Sequence, residues 1–158
     1  MFREMRRFKQ QISQEECIAV LSQEKRGVLS VMGEDGYPYG MPMNFWYDKE
    51  NNRIYFHGAK TGHKIDAIKA CDKVSFCVYD QGFRREGEWA WNVKSVIIFG
   101  RLRLVEDYEL AMHASRMIGN KYTDDSAYVE REVRTSGPNV QCLELIPEHM
   151  TGKLVNES

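Results

Sequence analysis

The sequence lacks the spacings that mark common metal sites and hydrolase active sites. Its four cysteines are far apart and form no C-x-x-C pair, which argues against a zinc site or a thioredoxin-type motif. It has no G-x-S-x-G segment and no H-E-x-x-H segment, so hydrolytic catalysis finds no support. We expect no metal site. We also expect four reduced, mostly buried thiols, as is usual for cytoplasmic proteins. They are Cys17, Cys71, Cys77 and Cys142.

The sequence also lacks an excess of charge and any long apolar run. A net charge of −1 over 158 residues argues against a nucleic-acid-binding protein. The basic cluster within residues 3–9 is not followed by an apolar segment, so it does not resemble a secretory signal. The longest apolar stretch, residues 96–99, is far too short to span a membrane. We therefore expect one cytoplasmic domain over residues 1–158, with no membrane or nucleic-acid partner.

Hydrophobic patterning predicts several strands and only a few helices. Ser13 and Glu16 have the spacing of a capping box, which predicts a helix of about 11 residues. The Asp35-Gly36 pair predicts a hairpin turn. The basic turn described below leads into a short helix, and further helical segments are predicted at 107–119 and 125–134. The predicted strands are residues 27–32, 39–47, 53–57, 73–79, 95–105, 140–146 and 150–155.

The order of these segments favours a mainly β fold with added helices. No crossover helix separates the first three strands, as a parallel sheet would require, so the strands are expected to form an antiparallel barrel. Residues 80–92 show no clear period and are interpreted as a long loop. Within the strand at 95–105, which is the longest predicted, Gly100 indicates a bulge or a close backbone contact.

A basic turn over residues 57–64 is the most informative segment for function. It joins a predicted strand to a predicted helix, so Lys60, His63 and Lys64 lie at or just before a helix N-terminus. Cations are unfavourable there, because unpaired backbone N–H groups already carry partial positive charge. Two glycines and the absence of an acid before Asp66 favour a bound anion such as phosphate. The alternative is an ordinary solvated turn.

The segment from Tyr37 to Asn44 contains two prolines within a predicted strand. Proline has no N–H to donate, so this strand is expected at a sheet edge or a bulge. A flat ligand could lie along it and bond the backbone near Met43 and Asn44. An ordinary bulged edge strand is the alternative.

Other side chains allow more than one interpretation. His57 ends a predicted strand, where a structural role is the commoner one, although its position beside the basic turn makes it the candidate catalytic residue. Trp89 and Trp91 could close over an aromatic ligand, pack at an oligomer interface, or lie in the core.

Several segments, taken in order, resemble one family. They are residues 5–7, 33–39, 42–44, 54–59 with 62–64, 73–76, 95–100 and 151–153. Over residues 1–153 the chain resembles the FMN-binding split barrels of the pyridoxamine 5′-phosphate oxidase-like superfamily, in particular its nitroimidazole-resistance (Nim-type) branch. The resemblance implies a six-stranded antiparallel split β-barrel of Greek-key type with flanking helices. It also implies a homodimer that binds FMN in two clefts between protomers.

The resemblance also implies which residues bind the cofactor. Gly62, His63 and Lys64 would hold the phosphate. His57, Gly58 and Ala59 would line the same wall, Met43 and Asn44 would face the isoalloxazine ring, and Ser95 and Val96 would contact the phosphate or ribityl chain. No role is implied for Trp89 and Trp91, because the family varies there.

The implied function is an FMN-dependent oxidoreductase. NADH or NADPH would be the reductant. The electron acceptor would be a small molecule, and the most specific candidate is a 5-nitroimidazole. Pyridoxamine phosphate oxidation is a weaker alternative, because no arginine- and histidine-rich tail follows His149. A non-catalytic flavin or haem carrier, with His57 or His63 as axial ligand, and a deazaflavin-binding module are further alternatives. The sequence does not distinguish them or identify the acceptor.

Overall fold

A computed structural model describes residues 1–157 and confirms the mainly β antiparallel fold with flanking helices. It has eight strands rather than the six of the resembled family. The strands are β1 (Arg26–Met32), β2 (Pro38–Asn44), β3 (Trp46–Asp48), β4 (Arg53–Ala59), β5 (Lys73–Tyr79), β6 (Phe83–Arg84), β7 (Trp91–Leu104) and β8 (Val140–Glu157). The helices are α1 (Gln14–Gln23), α2 (His63–Ala70), α3 (Tyr108–Asn120) and α4 (Ser126–Ser136).

The sheet is curled so far that its two ends meet. Its strand order is β2-β1-β5-β7-β8-β4-β3, so β2 and β3 lie at opposite edges. Only Phe45 separates these two strands along the chain. One residue spans at most about 3.6 Å, so the two edges are neighbours in space and the sheet forms a barrel. The seam between β2 and β3 has a covalent link and no hydrogen-bonded ladder among the described residues.

Three predicted boundaries were wrong. The stretch 80–92 is not simply a loop, because β6 lies within it and pairs with Trp91 and Asn92 of β7. The strand predicted over 39–47 is broken at Phe45, where the chain crosses the seam. The two strands predicted between 140 and 155 are one strand of 18 residues, so β8 and not β7 is the longest. Strand β8 pairs with β7 along nearly its whole length and with β4 only over residues 140–145, and periodicity in the sequence cannot report where a second partner strand ends.

The core has two layers on either side of β4. Inside the barrel, Phe45, Phe56 and Phe76 are fully buried and pack edge to face. Outside it, α3 and α4 pack on the other face of β4, where Tyr55 is buried. Alternate residues of one strand therefore serve both layers, which is the period-2 rule of a strand buried on both faces. Burial raises the pKa of Cys142, in this outer layer, to about 12.

Local signals in the sequence are confirmed where side chains cap or crowd the backbone. Ser13 accepts a hydrogen bond from the Glu16 amide at 3.1 Å, and the Glu16 carboxylate accepts one from the Ser13 amide at 3.0 Å. Gly100 lies at a register shift between β7 and β8, where a Cβ would collide with the carbonyl oxygen of Ile146.

Within residues 1–157, no helix has both the length and the apolar character needed to cross a bilayer.

Candidate functional site

The basic turn lies at the barrel seam, between the end of β4 and the start of α2. Strand β4 runs through Ala59, so His57 and Gly58 belong to the sheet and only residues 60–62 form the turn. Gly62 is the N-cap of α2 and has a φ of 127°, a value that glycine adopts readily. No side chain caps this helix among the described residues. The first amides of α2 are therefore free to bond an anion.

Lys64 is the cation of this turn that the fold buries. Its Nζ lies 3.8 Å from the Met43 sulfur, and a Cβ on residue 58 would fall 2.5 Å from the same atom. Gly58 thus leaves the space that the ammonium occupies. No carboxylate lies within ion-pair distance of Lys64 in the described part of the chain. Burial lowers the pKa of Lys64, as expected for a cation that has lost water without gaining an acid.

His57 lies close enough to Lys64 for the positive charge of the lysine to affect its pKa. Its side chain is half-buried on the outer face of β4, next to α3 and α4. Burial lowers the pKa of His57, and the positive charge of Lys64 lowers it further. The imidazole is therefore neutral at pH 7 and can both donate and accept a hydrogen bond. An anion bound beside Lys64 would instead raise the pKa values of both Lys64 and His57.

His63 and Ala59 lie at the edge of this region. The His63 ring stacks on Tyr39 of β2 with centroids 4.3 Å apart, and a Cβ at Gly33 would fall 3.4 Å from its Nε2. This stacking attaches the start of α2 to the β1–β2 hairpin. Ala59 is exposed at the end of β4. His63 and Lys64 therefore point to different neighbours, although they are adjacent in sequence.

Strand β2 lies across the seam from the basic turn and is an edge strand, as its prolines predicted. It pairs with β1 alone. Asn44, its last residue, accepts a hydrogen bond from Arg26 Nε at 3.1 Å. Met43 faces the barrel interior, and Asn44 faces the outer side. The two residues expected to face a flat ring thus lie on opposite faces of the strand, close to the seam.

Ser95 and Val96 are not near the basic turn within one protomer. Both lie on β7, which is three strands from β2 in the order β2-β1-β5-β7. With strands about 4.8 Å apart, the path across the sheet to β2 is about 14 Å. The end of β4, which leads into the basic turn, is only two strands away through β8, but Ala59 pairs with Val140 and Ser95 pairs with Lys153, 13 residues further along β8. The Val96 side chain is fully buried in the barrel, whereas Ser95 faces outward between Tyr79 and Lys153.

A cavity of about 250 Å³ lies between the outer face of the sheet and the α3–α4 pair. Asn44 and His57 form part of its wall on the sheet side. Helix residues complete the wall, including Ser115, Tyr128 and Glu132. Sequence reasoning found none of these three, because no local pattern links residues that come from two helices more than 50 positions after His57.

Where α3 and α4 do not cover it, over β2, β1, β5 and β7, the outer face of the sheet is exposed and apolar. Its central row runs across four strands in register, from Pro42 through Val28 and Cys77 to Ile97. Other exposed apolar side chains on this sheet are Met32, Tyr79 and Phe99, and Phe2 stacks on Phe99. A contiguous apolar face of this kind is typical of a protein interface. Trp89 is 73% exposed on the β6–β7 hairpin and therefore does not lie in the core.

Comparison with known proteins identifies the fold independently. A family model described as pyridoxamine 5′-phosphate oxidase matches residues 13–154. No curated protein matches the sequence significantly.

Solved structures share the architecture at low sequence identity. A putative 5-nitroimidazole antibiotic resistance protein from Bacteroides thetaiotaomicron is 23% identical and superposes with a TM-score of 0.75, over 92% of this chain and 87% of that chain. An FAD-binding protein from Mesorhizobium loti is 23% identical, with a TM-score of 0.68 over 92% and 96% of the two chains. An FAD- and haem-binding protein from Mycobacterium smegmatis is 16% identical, with a TM-score of 0.71 over 94% and 74%. At these identities the likeness shows the fold alone.

Proposed function

This chain belongs to the pyridoxamine 5′-phosphate oxidase family, and from that membership we propose that it is an FMN-binding oxidoreductase of the cytoplasm. In this proposal a reduced nicotinamide, NADH or NADPH, is the electron donor and a small molecule is the acceptor. The observation that carries the proposal is the half-buried ammonium of Lys64. It has no acidic partner among the described residues and lies beside an uncapped helix N-terminus.

The residues of this region fit a phosphomonoester. Lys64 and the first amides of α2 would bind the phosphate, with Gly62 and His63 at the same helix end. Gly58 leaves room for the lysine side chain, since a Cβ there would occupy its position. A bound dianion would remove the penalty of holding an unpaired cation away from water. The same region lies beside the free edge of β2, where backbone groups near Met43 and Asn44 are within reach of a flat ring.

When bound, FMN supplies two-electron chemistry, because it takes up a hydride from a reduced nicotinamide and returns two electrons to an acceptor. The chain itself supplies orientation and charge. Lys64 would fix the phosphate end. The Asn44 side chain and the backbone beside Met43 would fix the ring end, because the Met43 side chain itself faces the barrel interior. Arg26 holds the Asn44 carboxamide in one orientation through its hydrogen bond to Oδ1. His57, neutral at pH 7, would donate or accept one hydrogen bond without adding charge.

Ser95 and the exposed sheet face support a homodimer. Ser95 is about 14 Å from the β2 wall across the sheet. It can contribute to the same cofactor most directly from a second copy of the chain. It lies near the apolar row that includes Val28 and Ile97, which a second copy would cover. In this proposal each FMN site is completed by the partner, which supplies the outward-facing Ser95 and the backbone beside Val96.

Two finer proposals concern the acceptor and the cofactor. A 5-nitroimidazole as acceptor is supported by the fold shared with the Bacteroides protein. A non-catalytic flavin or haem carrier is the alternative, supported by the fold shared with the FAD- and haem-binding protein. His57 would then hold the haem, because its neutral imidazole could bind iron, whereas the His63 ring is stacked on Tyr39.

The absorption spectrum of freshly purified protein tests the proposal. Bands at about 370 and about 450 nm, and their recovery when the apoprotein is mixed with FMN, would support it. A Soret band would favour the haem carrier. Protein that stays colourless after incubation with FMN, FAD and haem would overturn both. For the acceptor, anaerobic bleaching of the flavin by NADH or NADPH, followed by reoxidation on adding a 5-nitroimidazole, is the expected result.

A further inference from the structure

The cavity between α3, α4 and the sheet is not explained by flavin binding. It shares only Asn44 and His57 with the candidate flavin residues, and the rest of its wall comes from the two helices and the segments next to them. None of these helix residues lies near the basic turn in sequence. At about 250 Å³ it is smaller than a typical ligand pocket. Its size suits a compound of one ring.

Ser115 provides the observation that points to a ligand. The residue is only 8% exposed, on the side of α3 that lines the cavity. Its hydroxyl oxygen is buried and has no hydrogen-bond partner among the described residues. Buried hydroxyls nearly always have a partner, because an unsatisfied one is destabilising. Alanine at this position would pack equally well without that cost. The hydroxyl is therefore expected to turn into the cavity, by rotation about its Cα–Cβ bond, and to bond something that enters there.

The charges of the wall define the ligand further. The described wall contains one carboxylate, from Glu132, and no lysine or arginine. Within the wall an anion would therefore meet a negative charge. The nearby cations Lys25 and Arg26 lie outside the wall, over the Tyr122 ring, and Arg26 is already bonded to Asn44. Ser115 and His57 can each donate and accept, and Glu132 accepts. A group that both donates and accepts, such as a primary amide, matches this set. The rings of Tyr122 and Tyr128 suit a flat aromatic body.

We propose that this cavity binds a neutral one-ring aromatic amide, with the amide bonded to the Ser115 hydroxyl and anionic analogues excluded by Glu132. As a reaction pocket the cavity rests on the proposed function, because Asn44 and His57 form the wall that it shares with the candidate flavin site. Its ability to bind the ring does not depend on the flavin. The two ideas can therefore fail separately.

Nicotinamide and nicotinate are matched probes, since they differ only in amide against carboxylate. Each is titrated into the purified wild-type protein, with and without FMN, and followed by NMR chemical-shift changes. Nicotinamide is expected to bind with a dissociation constant of about 1 mM, as is usual for so small a ligand, and nicotinate at least about tenfold more weakly.

Three variants locate the binding. Ser115→Ala removes the hydroxyl with little change in the size of the cavity and should weaken nicotinamide binding about five- to tenfold. Ser115→Leu narrows the cavity and removes the hydroxyl, and it should weaken nicotinamide binding more than Ser115→Ala does, with circular dichroism to confirm folding. Glu132→Gln should strengthen nicotinate and leave nicotinamide within about threefold. FMN affinity should be the same in wild type and Ser115→Ala.

The outcomes separate the two ideas. Nicotinamide binding that fails in the wild type, or that is equal in the wild type and in folded Ser115→Leu, overturns the pocket whatever the flavin result. Loss of FMN affinity together with nicotinamide affinity in Ser115→Ala also overturns it, because the cavity would then be part of the flavin site. If the protein binds nicotinamide but takes up no FMN, the proposal of an amide-binding pocket is supported and the proposed FMN-dependent function is overturned.

Discussion

The ammonium of Lys121 lies 3.9 Å from the centroid of the Phe45 ring. Phe45 is the single residue that joins the two edges of the sheet, and Lys121 follows the last turn of α3. The same ammonium donates hydrogen bonds to the carbonyl oxygens of Leu21 and Glu24 at the end of α1. One cation thus connects α1, α3 and the barrel seam.

Replacing this cation should destabilise the fold. Lys121→Met keeps the length of the side chain but loses the cation–π contact and both carbonyl bonds, at a cost of about 1–3 kcal/mol in the free energy of unfolding. Burial lowers the pKa of Lys121 to about 8, so urea denaturation at pH 7 measures the charged form. Lys25→Met, which removes an exposed cation 5.4 Å from the Tyr122 ring, is the control and should cost less than about 1 kcal/mol. Equal losses would contradict the special role of Lys121.

Lys64→Ala should weaken FMN binding by about 1.5–3 kcal/mol, the range for a charge-assisted contact. The measurement is a fluorescence titration of the apoprotein with FMN. Lys69→Ala is the matched control, because Lys69 lies on the same short helix and is exposed. Riboflavin, which lacks the phosphate, should bind wild type and Lys64→Ala alike. An unchanged FMN affinity in Lys64→Ala would mean that the phosphate lies elsewhere.

The stability of the apoprotein should depend on His57 below neutral pH. In the folded state the pKa of His57 lies below the ordinary value of 6.5, because burial and the charge of Lys64 disfavour the imidazolium. The unfolded chain therefore binds more protons as the pH falls through 6.5, and the free energy of unfolding falls with it. Above that pH the group has no effect. His57→Gln should lose less stability than wild type between about pH 7.5 and about pH 5, measured by urea denaturation. Parallel pH profiles would exclude this role.

Gly100→Ala should destabilise the protein by about 1–3 kcal/mol, since its methyl group would collide with the backbone of β8, which cannot rotate away. Gly40→Ala is a useful comparison within another strand. There the nearest atoms are the ends of the Ser30 and Val28 side chains, at 3.3 and 3.4 Å, which can move. Thermal unfolding of both variants tests the difference, and a larger loss at Gly40 would contradict it.

Ile97→Glu should prevent dimer formation, because it places a charge in the exposed apolar row, at the end of the row that lies on β7. Size-exclusion chromatography with light scattering measures the mass. Tyr108→Glu, on an exposed part of α3 away from this face, should leave the mass unchanged. If FMN sites are shared between protomers, Ile97→Glu should also lose FMN. A monomeric wild-type protein would overturn the dimer proposal.

The sequence predicted those parts of the fold that depend on neighbouring residues. The capping box at Ser13, the edge position of β2 and the bulge at Gly100 all follow from local chemistry and are confirmed. The basic turn was also found in this way, since strand, glycines and helix start are contiguous. Whether it binds phosphate remains a prediction.

The parts that could not be predicted depend on closure of the barrel. The contact of Lys64 with Met43 joins two elements that meet only because the sheet curls. The hydrogen bond from Arg26 to Asn44 depends on the register of β1 against β2. The cavity with Ser115 needs two helices and a sheet face at once. No periodicity in the sequence contains this information.

The covalent link at Phe45 has a consequence for how the molecule is protected from aggregation. Open strand edges invite pairing with other chains, and here both edges flank the seam. On one side Pro38 and Pro42 remove amide donors, and on the other β3 is only three residues long. Neither edge therefore offers a long template for a foreign strand. The opening that leaves backbone groups accessible to a small ligand is at the same time a poor template for pairing with a strand of another chain.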